Sequence, residues 1–144
     1  MTEHFDLIQL TKTKTGLKNQ TTDSKILTNL ERLAKTFLQP LRDALNVPVI
    51  VNSGYRSPEV NKAVGGATNS SHLRGLAADI VVRSLTPTEL SHYIARSNLP
   101  WDSIICEPSW VHVQIAEEGS EPRKRLMTAK VVNGKMKYFQ GLPA

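Results

Sequence analysis

The sequence has a single cysteine, Cys106, so an intramolecular disulfide is excluded and we expect a small buried residue there. It has no long apolar run, and its first residues show no basic segment followed by an apolar one. We therefore expect neither a membrane span nor a secretory signal peptide. Aromatic residues make up only 6% of the chain and do not alternate with basic ones, so no specific nucleic-acid partner is predicted.

What the sequence does contain is enough apolar material for one core. Its length of 144 residues and its apolar share of 40% are ordinary for a globular protein, so we expect residues 1–144 to form a single domain and a monomer. Lysine and arginine outnumber the acidic residues, and the net charge is +5. A basic surface favours polyanions such as nucleic acid, anionic lipid or bacterial wall polymers, but the charge does not choose among them.

Hydrophobic spacing predicts an α+β fold. Apolar residues recur every three or four positions from Ile26 to Leu45, which predicts a helix that Pro40 kinks or divides. Further elements are predicted as strands at 47–51, 77–82, 103–106 and 110–115, with short helices at 59–63 and 86–97. We expect a small antiparallel sheet flanked by helices.

The two ends of the chain differ from this middle part. Residues 1–22 are polar and predict an arm with little regular structure. Apolar side chains near its start could attach it to the core: Phe5, Leu7, Ile8 and Leu10. Residues 117–144 predict a loop and then a hairpin, because Asn133-Gly134 is the favoured pair for a type I′ turn.

Two of the four histidines lie in or beside predicted strands. Asp79 follows His72 by seven residues, and His112 lies at the centre of a β-branched strand, on the side opposite its valine neighbours. If the two strands pair, His112 and Asp79 point into one cleft, and two imidazoles with a carboxylate suit zinc. The spacing leaves open that these are packed or capping residues. His4 and His92 match no motif and are expected at the surface or in caps.

Three separated motifs carry a resemblance to a known family. They are Gly54-Tyr55-Arg56-Ser57, then Ser70-x-His72-x-x-Gly75-x-Ala77-x-Asp79, then Trp110-x-His112. In this order they resemble the zinc D-Ala-D-Ala carboxypeptidases and the related phage endolysin peptidases, a group whose fold is similar to hedgehog-type zinc domains. The resemblance runs from about Phe5 to about Ile115 and leaves the C-terminal segment unexplained.

The resemblance implies a zinc peptidase of that fold, which cuts peptidoglycan stem peptides beside a D-amino acid as a carboxypeptidase or an endopeptidase. It implies that Zn²⁺ is bound by His72, Asp79 and His112. Arg56 would bind a substrate carbonyl or carboxylate, or stabilise the oxyanion of the tetrahedral intermediate. Neighbouring residues would orient a ligand or contact the substrate: Ser70, Tyr55 and Trp110.

The general base departs from the family pattern. Dipeptidase relatives place a glutamate three residues before the last histidine ligand, whereas position 109 here is serine. Glu107 lies five residues before His112, and a turn at Pro108-Ser109 could return it to the metal, where it would take a proton from water. Alternatively Glu107 faces solvent, and Asp102 or Glu117 is the next candidate.

Two other functions stay open. A non-catalytic, zinc-stabilised binding module of the hedgehog type would need the ligands but no base. A nucleic-acid-binding domain would rest on net charge alone. The resemblance to these peptidases, together with the lack of a predicted signal peptide, is typical of a phage or prophage lysis enzyme. We therefore expect synthesis in the cytoplasm and action on the bacterial cell wall after release through a holin or by another route.

Overall fold

The computed structural model describes all residues from Met1 to Ala144 and contains a six-stranded sheet with helices packed against it. The helices are α1 (Leu7–Thr11), α2 (Ser24–Leu33), α3 (Gln39–Leu45), α4 (Pro58–Ala63) and α5 (Pro87–Arg96), with a 3₁₀ turn at Ser71–Arg74. The strands are β1 (Ile50–Ser53), β2 (Ala77–Val81), β3 (Trp101–Cys106), β4 (Val111–Ile115), β5 (Arg125–Val132) and β6 (Lys135–Gln140). None of the helices has both the length and the apolar character needed to cross a membrane.

The sheet has the strand order β1-β2-β4-β3-β5-β6. All neighbours are antiparallel except β3 and β5, which run parallel. The α+β prediction is confirmed, and the parallel pair is an addition to it. Residues 116–124 carry the chain from the end of β4 back to the start of β3, where Arg125 pairs with Ser103. For this reason β5 runs in the same direction as β3.

The long helix predicted from Ile26 to Leu45 does not end at Pro40. Helices α2 and α3 are joined by a π-helical turn at Ala34–Leu38, in which the amide of Gln39 bonds to the carbonyl of Ala34. Proline has no amide hydrogen and crowds the preceding turn. A widened turn directly before Pro40 accommodates both effects without breaking the helix. The helix ends at Asn46, which adopts a left-handed conformation.

One cluster of 22 buried hydrophobic residues joins the helices to one face of the sheet. The strands contribute alternate residues to it, such as Ala78 and Ile80 of β2 and Val111 and Val113 of β4. Cys106 is buried at 4% exposure, as expected for a small core residue. Because side chains alternate along a strand, the residues between these core positions face the opposite side of the sheet.

The N-terminal arm is more ordered than predicted. Asp6 and Gln9 form a capping box that begins α1. Phe5 and Leu10 are buried in the core as predicted, whereas Leu7 and Ile8 are exposed at 41% and 79%. The prediction for these last two residues is wrong because one short helical turn buries only one of its sides.

The C-terminal hairpin forms as predicted. Asn133 and Gly134 both have positive φ angles, as a type I′ turn requires. The hairpin is not a separate unit, since β5 pairs with β3 along Ser103–Cys106 and extends the main sheet by two strands.

Candidate metal centre

The pairing of β2 with β4 brings two of the predicted ligands together. Asp79 lies directly opposite His112 in the strand register, and both side chains project from the face of the sheet that is opposite the hydrophobic core. His72 comes from the 3₁₀ turn before β2, which Gly75 ends with a φ of 74°. One nitrogen from each histidine and one oxygen of Asp79 all lie within 4.8 Å of one another.

The orientation of His72 is fixed by a main-chain carbonyl. Its Nδ1 lies 2.7 Å from the oxygen of Gly54, which can only accept a hydrogen bond. Nδ1 therefore carries the hydrogen, and the free lone pair of Nε2 points to Oδ1 of Asp79 at 3.3 Å. Burial lowers the pKa of His72, which favours the neutral form that a metal needs.

His112 has the opposite nitrogen directed to the same oxygen. Its Nδ1 lies 3.1 Å from Oδ1 of Asp79, and its Nε2 lies 3.4 Å from Oε1 of Gln114. Both neighbours of the ring are acceptors, so His112 can donate to either. In the tautomer that donates from Nε2 to Gln114, Nδ1 is free to bind a metal. The two rings meet edge to face, with centroids 5.1 Å apart.

Asp79 stays ionised although it is 6% exposed. Burial by itself would raise the pKa of Asp79, but the hydrogen bonds and positive charge that the two imidazoles supply when they are protonated outweigh it and hold the pKa well below its ordinary value. Its second oxygen, Oδ2, accepts from Nη2 of Arg56 at 3.2 Å. Oδ1 is thereby left to the two histidines.

Arg56 is tied into the site by side chain and main chain. Nε donates to Ser53 at 3.1 Å and Nη1 to Asn61 at 3.3 Å, while the amide of Arg56 bonds to the carbonyl of His72. A guanidinium has five N–H groups, so two remain after these bonds and the one to Asp79. The side chain is 15% exposed and lines the cleft.

The three candidate ligands lie in a cleft of about 560 Å³. Glu107 and Trp110 line it as well. The amide of Glu107 bonds to the carbonyl of Trp110 and closes the turn between β3 and β4. The Glu107 carboxylate forms no hydrogen bond or ion pair, and burial, followed by the charge of Asp79, raises its pKa. A carboxylate without a partner beside a candidate metal centre is available for proton transfer.

The model of the peptidase M15 family matches residues 3–114, which is most of the chain. The chain belongs to the peptidase M15 family. A stretch of 44 residues is 50% identical to the zinc D-Ala-D-Ala carboxypeptidase of Streptomyces albus G, and it covers 30% of this chain and 17% of that protein. The family predicted from the three motifs is confirmed.

Tyr55 and Ser70, which are predicted to orient a ligand or to contact the substrate, do not point into the centre in the same way as Arg56. Tyr55 is 5% exposed, packs in the hydrophobic core and does not line the cleft, so its burial favours a supporting role over contact with substrate. Ser70 does not touch the His72 ring, but its hydroxyl accepts the amide hydrogen of His72 and caps the 3₁₀ turn.

The alternative bases are engaged elsewhere. Asp102 is bound by the guanidinium of Arg123 at 2.7 Å, and Glu117 forms an ion pair with Arg74. Neither carboxylate lines the cleft that holds the three candidate ligands. The remaining histidines, expected at the surface or in caps, are half-buried and lie outside the cleft. His4 bonds to a glutamine side chain and His92 to a carbonyl near the C-terminus.

The sequence reasoning missed Gln114, which connects the candidate centre to its surroundings. Besides the contact with His112, its Oε1 accepts from the Ser71 hydroxyl, and its Nε2 lies 3.4 Å from Oδ2 of Asp102. Gln114 lies two residues after His112 on the same strand, so the period-two rule could have found it. It also missed that Tyr138 of β6 lines the cleft, for which no local signal exists.

Proposed function

We propose that this M15 protein is a zinc peptidase that hydrolyses the stem peptides of bacterial peptidoglycan beside a D-amino acid, as a carboxypeptidase or an endopeptidase. One observation carries the proposal: Nε2 of His72, Nδ1 of His112 and Oδ1 of Asp79 converge in a cleft that also holds the free carboxylate of Glu107. The similarity to a zinc D-Ala-D-Ala carboxypeptidase supports this choice of substrate.

The donor set fits zinc in a catalytic role. Two imidazole nitrogens and one carboxylate oxygen are borderline-hard ligands, and three protein ligands leave a fourth position open. The histidine nitrogens that face Asp79 are those freed by the contacts with Gly54 and Gln114. When bound by His72, Asp79 and His112, zinc would polarise the scissile carbonyl and make a nucleophile of water at neutral pH.

The neighbouring residues provide the remaining steps. The Glu107 carboxylate would accept a proton from the attacking water and pass it to the leaving amine. Its raised pKa, caused by burial and then by the charge of Asp79, brings it closer to the working pH. Arg56 holds Oδ2 of Asp79, and its two free N–H groups can donate to the substrate oxygen on which negative charge develops.

One arginine of the cleft supports an acidic peptide as substrate. Of the three arginines that line the cleft, Arg56 and Arg123 are paired with carboxylates, whereas Arg125 has no such partner. Stem peptides of peptidoglycan carry free carboxylates, with which Arg125 could form a charge-assisted hydrogen bond. The place of action that we propose is accordingly the bacterial cell wall, and release through a holin is the proposed route if a phage encodes the protein.

The test is a digestion of purified peptidoglycan by the zinc-loaded protein, with the fragments identified by mass spectrometry. We expect stem-peptide bonds beside D-amino acids to be cut. Glu107→Gln should keep the zinc content of the wild type and lose about 10²–10⁴-fold in rate, as is typical for a general acid–base group. Glu118→Gln is the matched control, because Glu118 is exposed, forms no ion pair and lies outside the cleft.

Two results would contradict the proposal. Full zinc content in a His72→Ala, His112→Ala double variant would show that the metal binds elsewhere. Zinc binding by the wild type without new peptidoglycan fragments would instead identify the protein as a non-catalytic, zinc-stabilised module.

A further inference from the structure

The C-terminal hairpin lies outside the part of the chain that the family model matches, yet it reaches the candidate metal centre. The match ends at residue 114, whereas β5 and β6 follow it. Three apolar side chains of the hairpin line the same cleft as His112: Met127, Met136 and Tyr138. Two parts of the chain therefore line the cleft: the part that matches the family model and the hairpin that follows it.

The strand register explains how the hairpin comes to share this face. Ile105 of β3 lies opposite His112 on one side and opposite Met127 on the other. Residues opposite one another in a sheet point to the same face, so the cleft side of the sheet continues from His112 through Ile105 to Met127. Tyr138 and Met136 continue it on β6, opposite Ala129 and Val131.

Tyr138 lines the cleft that also holds Asp79 and Glu107. Burial, then the negative charges of Glu107 and Asp79, raises the pKa of Tyr138. Its hydroxyl forms no hydrogen bond within the protein, and the side chain is 54% exposed. Met136 beside it is 41% exposed. Apolar side chains exposed together and surrounded by polar groups are typical of a binding surface.

The dimensions of the sheet identify what fits on this surface. Neighbouring strands are about 4.8 Å apart, so β6 lies roughly 14 Å from β4, the length of about four extended residues. If the scissile bond of an extended peptide lies at His112, a residue about four positions from that bond lies at Met136 and Tyr138.

We propose that Met136 and Tyr138 form the far wall of the substrate cleft and bind an aliphatic part of the peptide substrate. This inference rests on the proposed function, because the occupant is the peptide that the metal centre would cleave. The wall contributes to substrate affinity and to the choice of substrate, and it takes no part in the proton transfers.

The experiment compares neighbouring aromatic residues of β6 that point in opposite directions. Tyr138→Ala removes the ring from the cleft, whereas Phe139→Ala removes a ring that is 46% exposed and does not line the cleft. The probe is the synthetic pentapeptide L-Ala-D-Glu-L-Lys-D-Ala-D-Ala. With zinc-loaded protein, KM and kcat are measured for each variant. The Kd of the peptide is measured by calorimetry in an inactive Glu107→Gln background.

We expect Tyr138→Ala to raise KM and Kd about tenfold with little change in kcat, since a residue that only binds substrate affects binding and not turnover. Tyr138→Phe should keep most of the affinity because the ring remains, and Phe139→Ala should resemble the wild type. Unchanged KM and Kd in Tyr138→Ala would overturn the proposal. An equal increase in Phe139→Ala would also overturn it, because the effect would then be structural.

The calorimetric measurement separates this inference from the proposed function. If the wild type cuts no peptide but Tyr138-dependent binding is observed, the peptidase function fails and the binding wall stands. If the wild type cuts the peptide and the Tyr138 variants behave normally, the function stands and the wall fails. Absence of both cleavage and binding would contradict both.

Discussion

Gln114 is expected to control zinc affinity although it is not a ligand. Its Oε1 lies 3.4 Å from Nε2 of His112, where it can accept the ring hydrogen and leave Nδ1 free to bind a metal. Gln114→Leu keeps the approximate size of the side chain and removes this acceptor. Loss of a partner that orients a metal-binding histidine typically costs 10–100-fold in affinity. Because the contact is long, we expect about tenfold, or about 1.4 kcal/mol.

The same substitution has a second consequence for stability. The hydroxyl of Ser71, a residue that is 8% exposed, donates to Oε1 of Gln114 and would lose its acceptor. A buried polar group left without a partner costs about 1–3 kcal/mol in the free energy of unfolding. Adding Ser71→Ala to Gln114→Leu removes the orphaned hydroxyl, so it should recover stability without recovering zinc affinity.

These two effects are measured separately. Competition with a chromogenic chelator gives the Kd for zinc, and urea unfolding of the metal-free protein gives stability. The double-mutant cycle over Ser71 and Gln114 isolates the coupling between them. If Gln114→Leu loses stability but binds zinc within twofold of the wild type, Gln114 does not act on His112 and the reasoning is refuted.

The remaining predictions concern the surroundings of the centre. In Gly54→Ala the new Cβ would lie 2.5 Å from the carbonyl oxygen of Leu10. The free energy of unfolding, measured by urea denaturation, should therefore fall by about 1–3 kcal/mol. An unchanged value would contradict the packing of the N-terminal arm against Gly54. Arg123→Ala leaves the Asp102 carboxylate without its cation and should cost about 1–3 kcal/mol. Burial lowers the pKa of His72 below its ordinary value of 6.5, so below pH 6.5 the unfolded chain binds more protons than the folded chain. The free energy of unfolding of the metal-free protein should therefore fall as the pH is lowered below 6.5. Urea unfolding between pH 7.5 and 5.5 measures this, and a flat profile would contradict it.

The candidate ligands could be found from sequence because their geometry depends on local rules. Alternation along β4 assigns Val111 and Val113 to one face and His112 to the other, and the structure has this arrangement. The opposition of Asp79 and His112 needed one further assumption, that β2 pairs with β4, which the register confirms. The order of the three motifs predicted the family without any knowledge of contacts.

The features that could not be predicted from sequence depend on contacts between distant parts of the chain. Tyr55 lies in a motif associated with substrate binding, but its amide bonds to the carbonyl of Leu10 and its side chain is covered by the core. Nothing near position 55 in the sequence reveals that α1 packs there. The same holds for the parallel pairing of β5 with β3, which depends on the path of residues 116–124.

The C-terminal hairpin shows why folding requirements alone do not explain this structure. Every residue of β6 is exposed, so the strand adds no buried side chain to the core. Strand β5 needs a neighbour to pair its backbone groups, which any β-forming sequence could provide. Folding therefore constrains neither Met136 nor Tyr138, although an exposed apolar edge strand carries a risk of aggregation. Both residues line the cleft that holds the candidate ligands. If they bind substrate as we propose, substitutions there should alter substrate binding more than stability.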